Sequence, residues 1–96
     1  MKKFELISKD GCHKCSDLKA WFKKNSIEFI EESLEDQEVV TKLLNDPKFA
    51  EVFCDKEGCI AYTPIIHVEE TGDYIHEELF GLDGLQENYV KNLLDI

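Results

Sequence analysis

Two cysteines three residues apart, Cys12 and Cys15, constrain this chain more than any other feature of its sequence. They follow a short apolar stretch at 4–8, which predicts a β-strand, and a loop that ends at Gly11. Over residues 12–24, apolar side chains recur every three or four positions, the spacing of one helix face. A Cys-x-x-Cys pair where a strand and a glycine loop lead into a helix is typical of thiol–disulfide chemistry.

The position of Cys12 at the predicted start of a helix favours its thiolate form. Only the thiolate attacks a disulfide, and a free cysteine with a pKa of about 8.5 is mostly protonated at neutral pH. Unpaired backbone N–H groups at a helix start stabilise an anion. His13, Lys14 and Lys9 add positive charge nearby. We therefore expect the pKa of Cys12 to lie well below that of free cysteine.

Cys15 falls on the apolar helix face, one turn after Cys12, so we expect it to be buried and less reactive. From there it would attack a mixed disulfide on Cys12 and release the substrate. Two alternatives stay open: the pair could be half of a zinc site, and Cys15 could be an ordinary core cysteine.

The remaining patterns predict a single domain over residues 1–96, with the order β-α-β-α-β-β-α. The predicted strands cover 4–8, 27–31, 63–68 and 74–80. The predicted helices cover 12–24, then a segment opened by a capping box at 33–36 and continued by a short helix capped by Asp46, which together form the second α element, and finally 82–94. The first half forms a parallel βαβ unit and the second an antiparallel hairpin with a closing helix. The fold class is therefore α/β, a four-stranded mixed sheet flanked by helices.

The charge distribution bears on possible partners. The net charge is −10, but residues 1–25 hold seven lysines against three acidic residues, while residues 26–96 hold four lysines against eighteen. The overall charge disfavours nucleic acid and anionic membranes, although the local field around residues 9–14 can attract small anions. The N-terminal apolar stretch is too short for a signal-peptide core, and no run reaches membrane-spanning length. We therefore expect a cytoplasmic protein.

Three motifs resemble the glutaredoxin family: Lys9-Asp-Gly-Cys12-His-Lys-Cys15, Thr63-Pro64 before a strand, and Gly81-Leu-Asp83 before the last helix. The order of elements agrees along essentially the whole chain, so the resemblance implies a thioredoxin-like fold of the glutaredoxin type. Family members carry a Cys-Pro-Tyr-Cys-like pair. Here His13 and Lys14 replace its middle residues, which keeps both sulfurs and changes their electrostatic surroundings.

The resemblance also implies a glutathione site. In the family, the proline at the position of Pro64 has a cis bond and lies against the cysteines, and the preceding residue, here Thr63, offers backbone hydrogen bonds to glutathione. Lys9 matches a lysine that contacts a glutathione carboxylate. Gly81 and Asp83 match part of the Gly-Gly-x-Asp-Asp stretch that receives the γ-glutamyl end.

Two departures weaken the match to glutathione. Phe80 stands at the first glycine of that stretch, and Gly84 at its second acidic residue. The resemblance therefore leaves two reductants open, glutathione or a flavin-dependent thioredoxin-type reductase.

A second cysteine pair, Cys54 and Cys59, has no counterpart in the family pattern. It could be an accessory disulfide or dithiol that exchanges with the first pair, two ordinary cysteines flanking a turn, or half of a tetrathiolate metal site. The predicted function is a monomeric thiol–disulfide oxidoreductase that reduces protein or glutathione mixed disulfides through Cys12 and Cys15, with no metal expected. The alternative is a metal- or iron–sulfur-binding thiol module that uses all four cysteines.

Overall fold

The structure is a computed structural model that describes residues 2–96. It contains four helices, eight short strands and one 3-10 turn at Glu77–Leu79 in this range. The strands are β1 (Phe4–Ser8), β2 (Ile30–Ser33), β3 (Cys54–Asp55), β4 (Gly58–Cys59), β5 (Ile65–Val68), β6 (Tyr74–Ile75), β7 (Phe80–Gly81) and β8 (Gly84–Leu85). The helices are α1 (His13–Lys24), α2 (Gln37–Leu44), α3 (Pro47–Phe53) and α4 (Glu87–Leu94).

The main sheet has four strands in the order β2-β1-β5-β6. β1 pairs in parallel with β2 and antiparallel with β5, so that Leu6 faces Ile66 across the second pair. β6 then pairs antiparallel with β5, and two separate hairpins are formed by β3–β4 and β7–β8. The predicted mixed sheet flanked by helices is therefore confirmed.

Alternation along the strands places a core on each face of the sheet. Leu6 and Phe4 point towards α1 and α4, where they pack with Phe22 and further apolar residues. Ile7 points to the opposite face and packs against α2 and α3. β1 is therefore held from both sides, which fixes the loop and the cysteine that follow it.

The C-terminal part of the chain differs most from its predicted structure. The fourth strand was predicted over 74–80 but ends at Ile75, and the 3-10 turn and the β7–β8 hairpin follow it. The hairpin is possible because Gly84 has a φ of 101°, which favours glycine. The predicted helix at 82–94 begins only at Glu87, and Leu82 is fully exposed at the hairpin turn.

Three smaller boundaries also differ. The second strand was predicted at 27–31 but covers Ile30–Ser33, since Ile27 still belongs to the helix exit, where its N–H donates to the carbonyl of Phe22. The third strand begins at Ile65 and not at residue 63. Asp36, and not Ser33, caps α2, because its carboxylate accepts a hydrogen bond from the N–H of Glu38.

Within residues 2–96, no helix combines the length and the apolar character needed to cross a bilayer.

Candidate active site

Cys12 is placed by the end of β1 and by the start of α1. The turn between them ends at Gly11, whose φ of 74° places it in the left-handed region. Cys12 is the N-cap of α1, and its sulfur accepts a hydrogen bond from the N–H of Cys15 at 3.1 Å. The sulfur therefore takes the place that a serine or aspartate oxygen usually holds at a helix start.

Cys12 and Cys15 form a disulfide with a Cα–Cα distance of 5.2 Å. Cys15 is only 1% exposed and belongs to the buried face of α1, whereas Cys12 is partly exposed. A reagent in solution can therefore reach Cys12 more easily than Cys15, as the sequence predicts for an attacking and a resolving cysteine.

The Thr63–Pro64 bond is cis, as the glutaredoxin resemblance implies. Pro64 is buried, and the hydroxyl group of Thr63 donates a hydrogen bond to the sulfur of Cys12 at 3.4 Å. The family resemblance implies a role for the backbone of Thr63 only. The hydroxyl contact could not be predicted, because residues 51 positions apart give no sign of their proximity in a single sequence.

Two clefts flank Cys12. One, of about 300 Å³, is lined by Lys9, His13 and Ser16 together with both cysteines. The other, of about 320 Å³, is lined by residues from four segments: Lys14, Tyr62, Thr63, Pro64, His76, Glu77 and Phe80. Of the residues predicted to stabilise the Cys12 thiolate, Lys9 and His13 therefore line the first cleft and Lys14 lines the second.

The second cleft includes two aromatic contacts, Lys14 with Phe80 and Tyr62 with His76, that the sequence does not predict. The Lys14 ammonium group lies over the Phe80 ring, 5.6 Å from its centroid. Tyr62 stacks on His76 with the ring centroids 5.9 Å apart. The position of Phe80 at a glycine of the family motif was the available signal, since a large side chain there must fill space that glycine leaves open.

Gly81 and Asp83 lie in the β7–β8 hairpin next to Phe80. Gly81 faces the side chain of Gln86, and a Cβ at Gly81 would come within 2.6 Å of that amide nitrogen. Among the described residues, Gly81 and Asp83 do not line either cleft beside Cys12. The structure thus brings Lys9, Thr63 and Pro64 together with the cysteines and leaves Gly81 and Asp83 in the adjoining hairpin.

The second cysteine pair forms its own disulfide, Cys54–Cys59, across β3 and β4. Within residues 2–96, no three side chains of the His, Cys, Asp or Glu type are arranged to hold a metal ion. In this structure the four cysteines are paired as two separate disulfides.

A different group of ionisable side chains, which we name the carboxyl cluster, lies towards the start of β1. It consists of Glu5, Glu32, Lys42 and His67. Protonated Glu5 donates a hydrogen bond to the Glu32 carboxylate; this bond, together with burial, raises the pKa of Glu5 to about 7, and the same bond lowers the pKa of Glu32. Burial lowers the pKa of His67, whose Nδ1 lies 3.3 Å from Glu5.

The comparisons with known proteins agree with this architecture. The structure is similar to the crystal structure of glutaredoxin 1 from Francisella tularensis complexed with cacodylate, with a TM-score of 0.56 over 97% of this chain and 98% of that one. The chain has a glutaredoxin fold. At 22% sequence identity, the likeness concerns the fold alone. No family model matches the chain, and no curated protein matches it in sequence.

Within the glutaredoxin fold, the arrangement around Cys12 suits nucleophilic sulfur chemistry. A partly exposed sulfur at a helix start accepts two hydrogen bonds, and a second sulfur lies within bonding reach beneath it. Hydrogen bonds to a thiolate favour the charged form. One open cleft is lined by Cys12 itself, and the other by Thr63, whose hydroxyl group contacts the Cys12 sulfur.

Proposed function

We propose that this protein is a thiol–disulfide oxidoreductase that reduces protein disulfides or glutathione mixed disulfides through Cys12 and Cys15. The observation that carries the proposal is the environment of the Cys12 sulfur, which accepts hydrogen bonds from the N–H of Cys15 and the hydroxyl of Thr63. Both donors lower the energy of a thiolate at this position, and only the thiolate is a nucleophile.

The reaction proceeds by two successive exchanges. The Cys12 thiolate attacks one sulfur of the substrate disulfide, forms a mixed disulfide, and releases the other sulfur as a thiolate that takes up a proton. Cys15 then loses its proton and attacks the Cys12 sulfur, which releases the second substrate thiol. Two electrons pass to the substrate, and the enzyme is left with the Cys12–Cys15 disulfide that the structure contains.

Glutathione is the proposed reductant of this disulfide. Two glutathione thiols restore both cysteines and leave as glutathione disulfide. Lys9 lines the same cleft as Cys12, and Thr63 contacts its sulfur, so both can help to bind an anionic tripeptide. Gly81 and Asp83, which the family uses for glutathione, lie in the hairpin outside both clefts. A thioredoxin-type reductase is therefore the alternative partner. We place the protein in the cytoplasm as a monomer.

Turnover of a glutathione mixed disulfide by cysteine variants tests this function. Cys12→Ser is expected to lose all measurable exchange, because a hydroxyl group cannot replace the thiolate. Cys15→Ser should retain exchange if glutathione is the reductant, since a second glutathione can resolve the mixed disulfide on Cys12, and should lose it if a reductase must act on the intramolecular disulfide.

Ser16→Ala is the matched control, because Ser16 lines the same cleft and is exposed. It should leave turnover within about twofold of the wild type, as surface substitutions usually do. Turnover that persists in Cys12→Ser would overturn the proposal.

A further inference from the structure

The second disulfide lies at the base of a hairpin that leads into the active site. Cys54 and Cys59 are paired residues of β3 and β4, and residues 56–57 form the turn between the strands. Cys54 also caps the C-terminal end of α3. Four residues after Cys59 the chain reaches Thr63, whose hydroxyl group contacts the Cys12 sulfur.

Apolar packing does little to hold this segment in place. Within the described part of the chain, none of residues 54–63 is fully buried, although Phe53 before them and Pro64 after them are. Ile60 is 62% exposed and Tyr62 is 61% exposed, while Ala61 between them is partly buried and packs against the core. Burial of apolar surface is the main source of local stability, so a segment with little of it depends on its other links.

The other links are few and mostly exposed. The N–H of Ile60 donates to the carbonyl of Phe53 at 2.9 Å, and the Tyr62 ring stacks on His76. A hydrogen bond that water can reach contributes little net stability, because water replaces it when it opens. The covalent bond between Cys54 and Cys59, together with the β3–β4 pairing, therefore holds the start of this segment, while Ala61 and the buried Pro64 hold its end.

The surroundings of the second disulfide disfavour thiolates. Cys54 lies at the C-terminal end of a helix, where carbonyl groups point outward, and Asp55 follows it directly. Glu51 and Glu57 add negative charge against a single lysine, Lys56. Cys12 has the opposite surroundings, with backbone N–H groups and two lysines, Lys9 and Lys14, nearby. Stabilised thiolates make a disulfide easier to reduce, so the second bridge should be the harder of the two to open.

We propose that Cys54–Cys59 is a redox-responsive brace. It stays closed while Cys12–Cys15 opens and closes in turnover, and when a stronger reductant opens it, residues 60–63 loosen and the Thr63 hydroxyl holds the Cys12 thiolate less well. Opening takes two electrons and two protons from a dithiol, which leaves two cysteine thiols and the oxidised dithiol. The effect on turnover rests on the proposed function, whereas the order of reduction and the loosening of residues 60–63 do not.

The order of reduction is the first test. The oxidised protein is equilibrated with mixtures of reduced and oxidised dithiothreitol, free thiols are trapped with N-ethylmaleimide, and labelled cysteines are located by mass spectrometry. Cys12 and Cys15 should be labelled first, and Cys54 and Cys59 should require a ratio of reduced to oxidised dithiothreitol at least about tenfold higher. Labelling of the second pair at the same or a lower ratio would overturn the proposal.

The effect on the active site is the second test, made on the double variant Cys54→Ser/Cys59→Ser. Hydrogen exchange at the amides of residues 60–63 should become faster, above all at Ile60, and the pKa of Cys12 should rise by about half a unit. Lys56→Ser is the matched control, because Lys56 is exposed at the hairpin turn and leaves the bridge intact. Unchanged amide exchange together with an unchanged Cys12 pKa would show that the bridge has no such effect.

Neither measurement requires turnover. If the wild-type protein has no thiol–disulfide exchange activity, the proposed function is refuted. Hydrogen exchange at the amides of residues 60–63 would still show whether the second disulfide holds this segment in place. If the double variant does not fold, the same amides are compared in wild-type protein with one and with both disulfides reduced, and equal exchange in the two states would refute the brace.

Discussion

The thiol site and the carboxyl cluster lie at opposite ends of β1 and hold protons in different ways. At the thiol site, the Cys12 sulfur is partly exposed and its two hydrogen-bond donors stabilise a negative charge. In the carboxyl cluster, Glu5 is enclosed by Glu32, Lys42 and His67, and the raised pKa of Glu5 reflects a second carboxyl group beside it. One environment favours the thiolate form of a residue that solution can reach, and the other keeps a proton within the fold.

This difference shows that an altered pKa does not by itself identify a reactive group. A carboxyl group with a pKa of about 7 has the value expected of a general base. Its hydrogen-bonding capacity, however, is taken up by neighbouring side chains, whereas Cys12 lies between two open clefts. Substitutions in the two regions should therefore change different properties, namely exchange chemistry in one and stability in the other.

Thr63→Val is expected to have the largest effect. It keeps the shape of the side chain and removes the hydroxyl donor to Cys12, so the pKa of Cys12 should rise by about one unit and exchange at lower pH should slow about tenfold. Thiolate absorbance followed against pH measures the pKa. Thr41→Val, on the exposed surface of α2, is the control and should change neither quantity. An unchanged Cys12 pKa in Thr63→Val would show that the Thr63 hydroxyl group does not stabilise the Cys12 thiolate.

Glu5→Gln should alter the pH dependence of stability without altering exchange. The folded state holds the Glu5 proton more tightly than the unfolded state, so this contribution is complete below the ordinary pKa of 4.5 and is lost as the pH rises towards 7. Glu32 and His67 have lowered pKa values and act in the opposite direction, since their contributions are lost as the pH falls.

The contribution of Glu5 should amount to about 1 kcal/mol once partial solvent screening is allowed for. Urea unfolding between about pH 5 and pH 8 measures it, and the free energy of unfolding should fall less steeply in Glu5→Gln than in the wild type. Glu38→Gln, an exposed position at the start of α2, should reproduce the wild-type curve. If the free energy of unfolding depends on pH in the same way in the wild type and in Glu5→Gln, the carboxyl cluster does not hold a proton on Glu5.

Tyr74→Phe should have the smallest effect. The Tyr74 hydroxyl donates to one carboxylate oxygen of Asp46 at 2.7 Å, while the other oxygen caps α3 by accepting from the N–H of Lys48. Loss of the first bond should cost about 1 kcal/mol or less, because the helix cap remains. The pKa of Asp46 should rise, since the hydroxyl lowers it. Any change in thiol–disulfide exchange at Cys12 would show that the contact between Tyr74 and Asp46 is coupled to the thiol site.

The thiol site could be predicted from sequence because its determinants are local. A strand, a glycine turn and a helix face within 24 residues place Cys12 at the N-cap and Cys15 on the buried side. The cis bond before Pro64 came from the resemblance to a family, and the structure confirms it. The contact between Thr63 and Cys12 depends on the packing of distant segments, and a single sequence does not show it.

The region from Ile75 to Glu87 was predicted incorrectly for a physical reason. Ile75, Glu77 and Leu79 would share one face of an extended strand, and Leu82 continues the spacing of the last helix. Gly81 and Gly84 instead allow a two-residue turn between them, which leaves Leu82 in solvent and delays the helix. A periodicity argument cannot tell an apolar residue that is buried from one that a tight turn exposes.

The strand β2 forms one border of the main sheet, and its sequence is Ile-Glu-Glu-Ser. An unpaired border of this kind can add strands from other molecules, and charged side chains are a common defence against such edge-to-edge association. Glu31 places an exposed carboxylate there, and the opposite border, β6, is only two residues long. Copies of this protein should therefore remain separate in concentrated solution, where a longer or apolar border would promote aggregation.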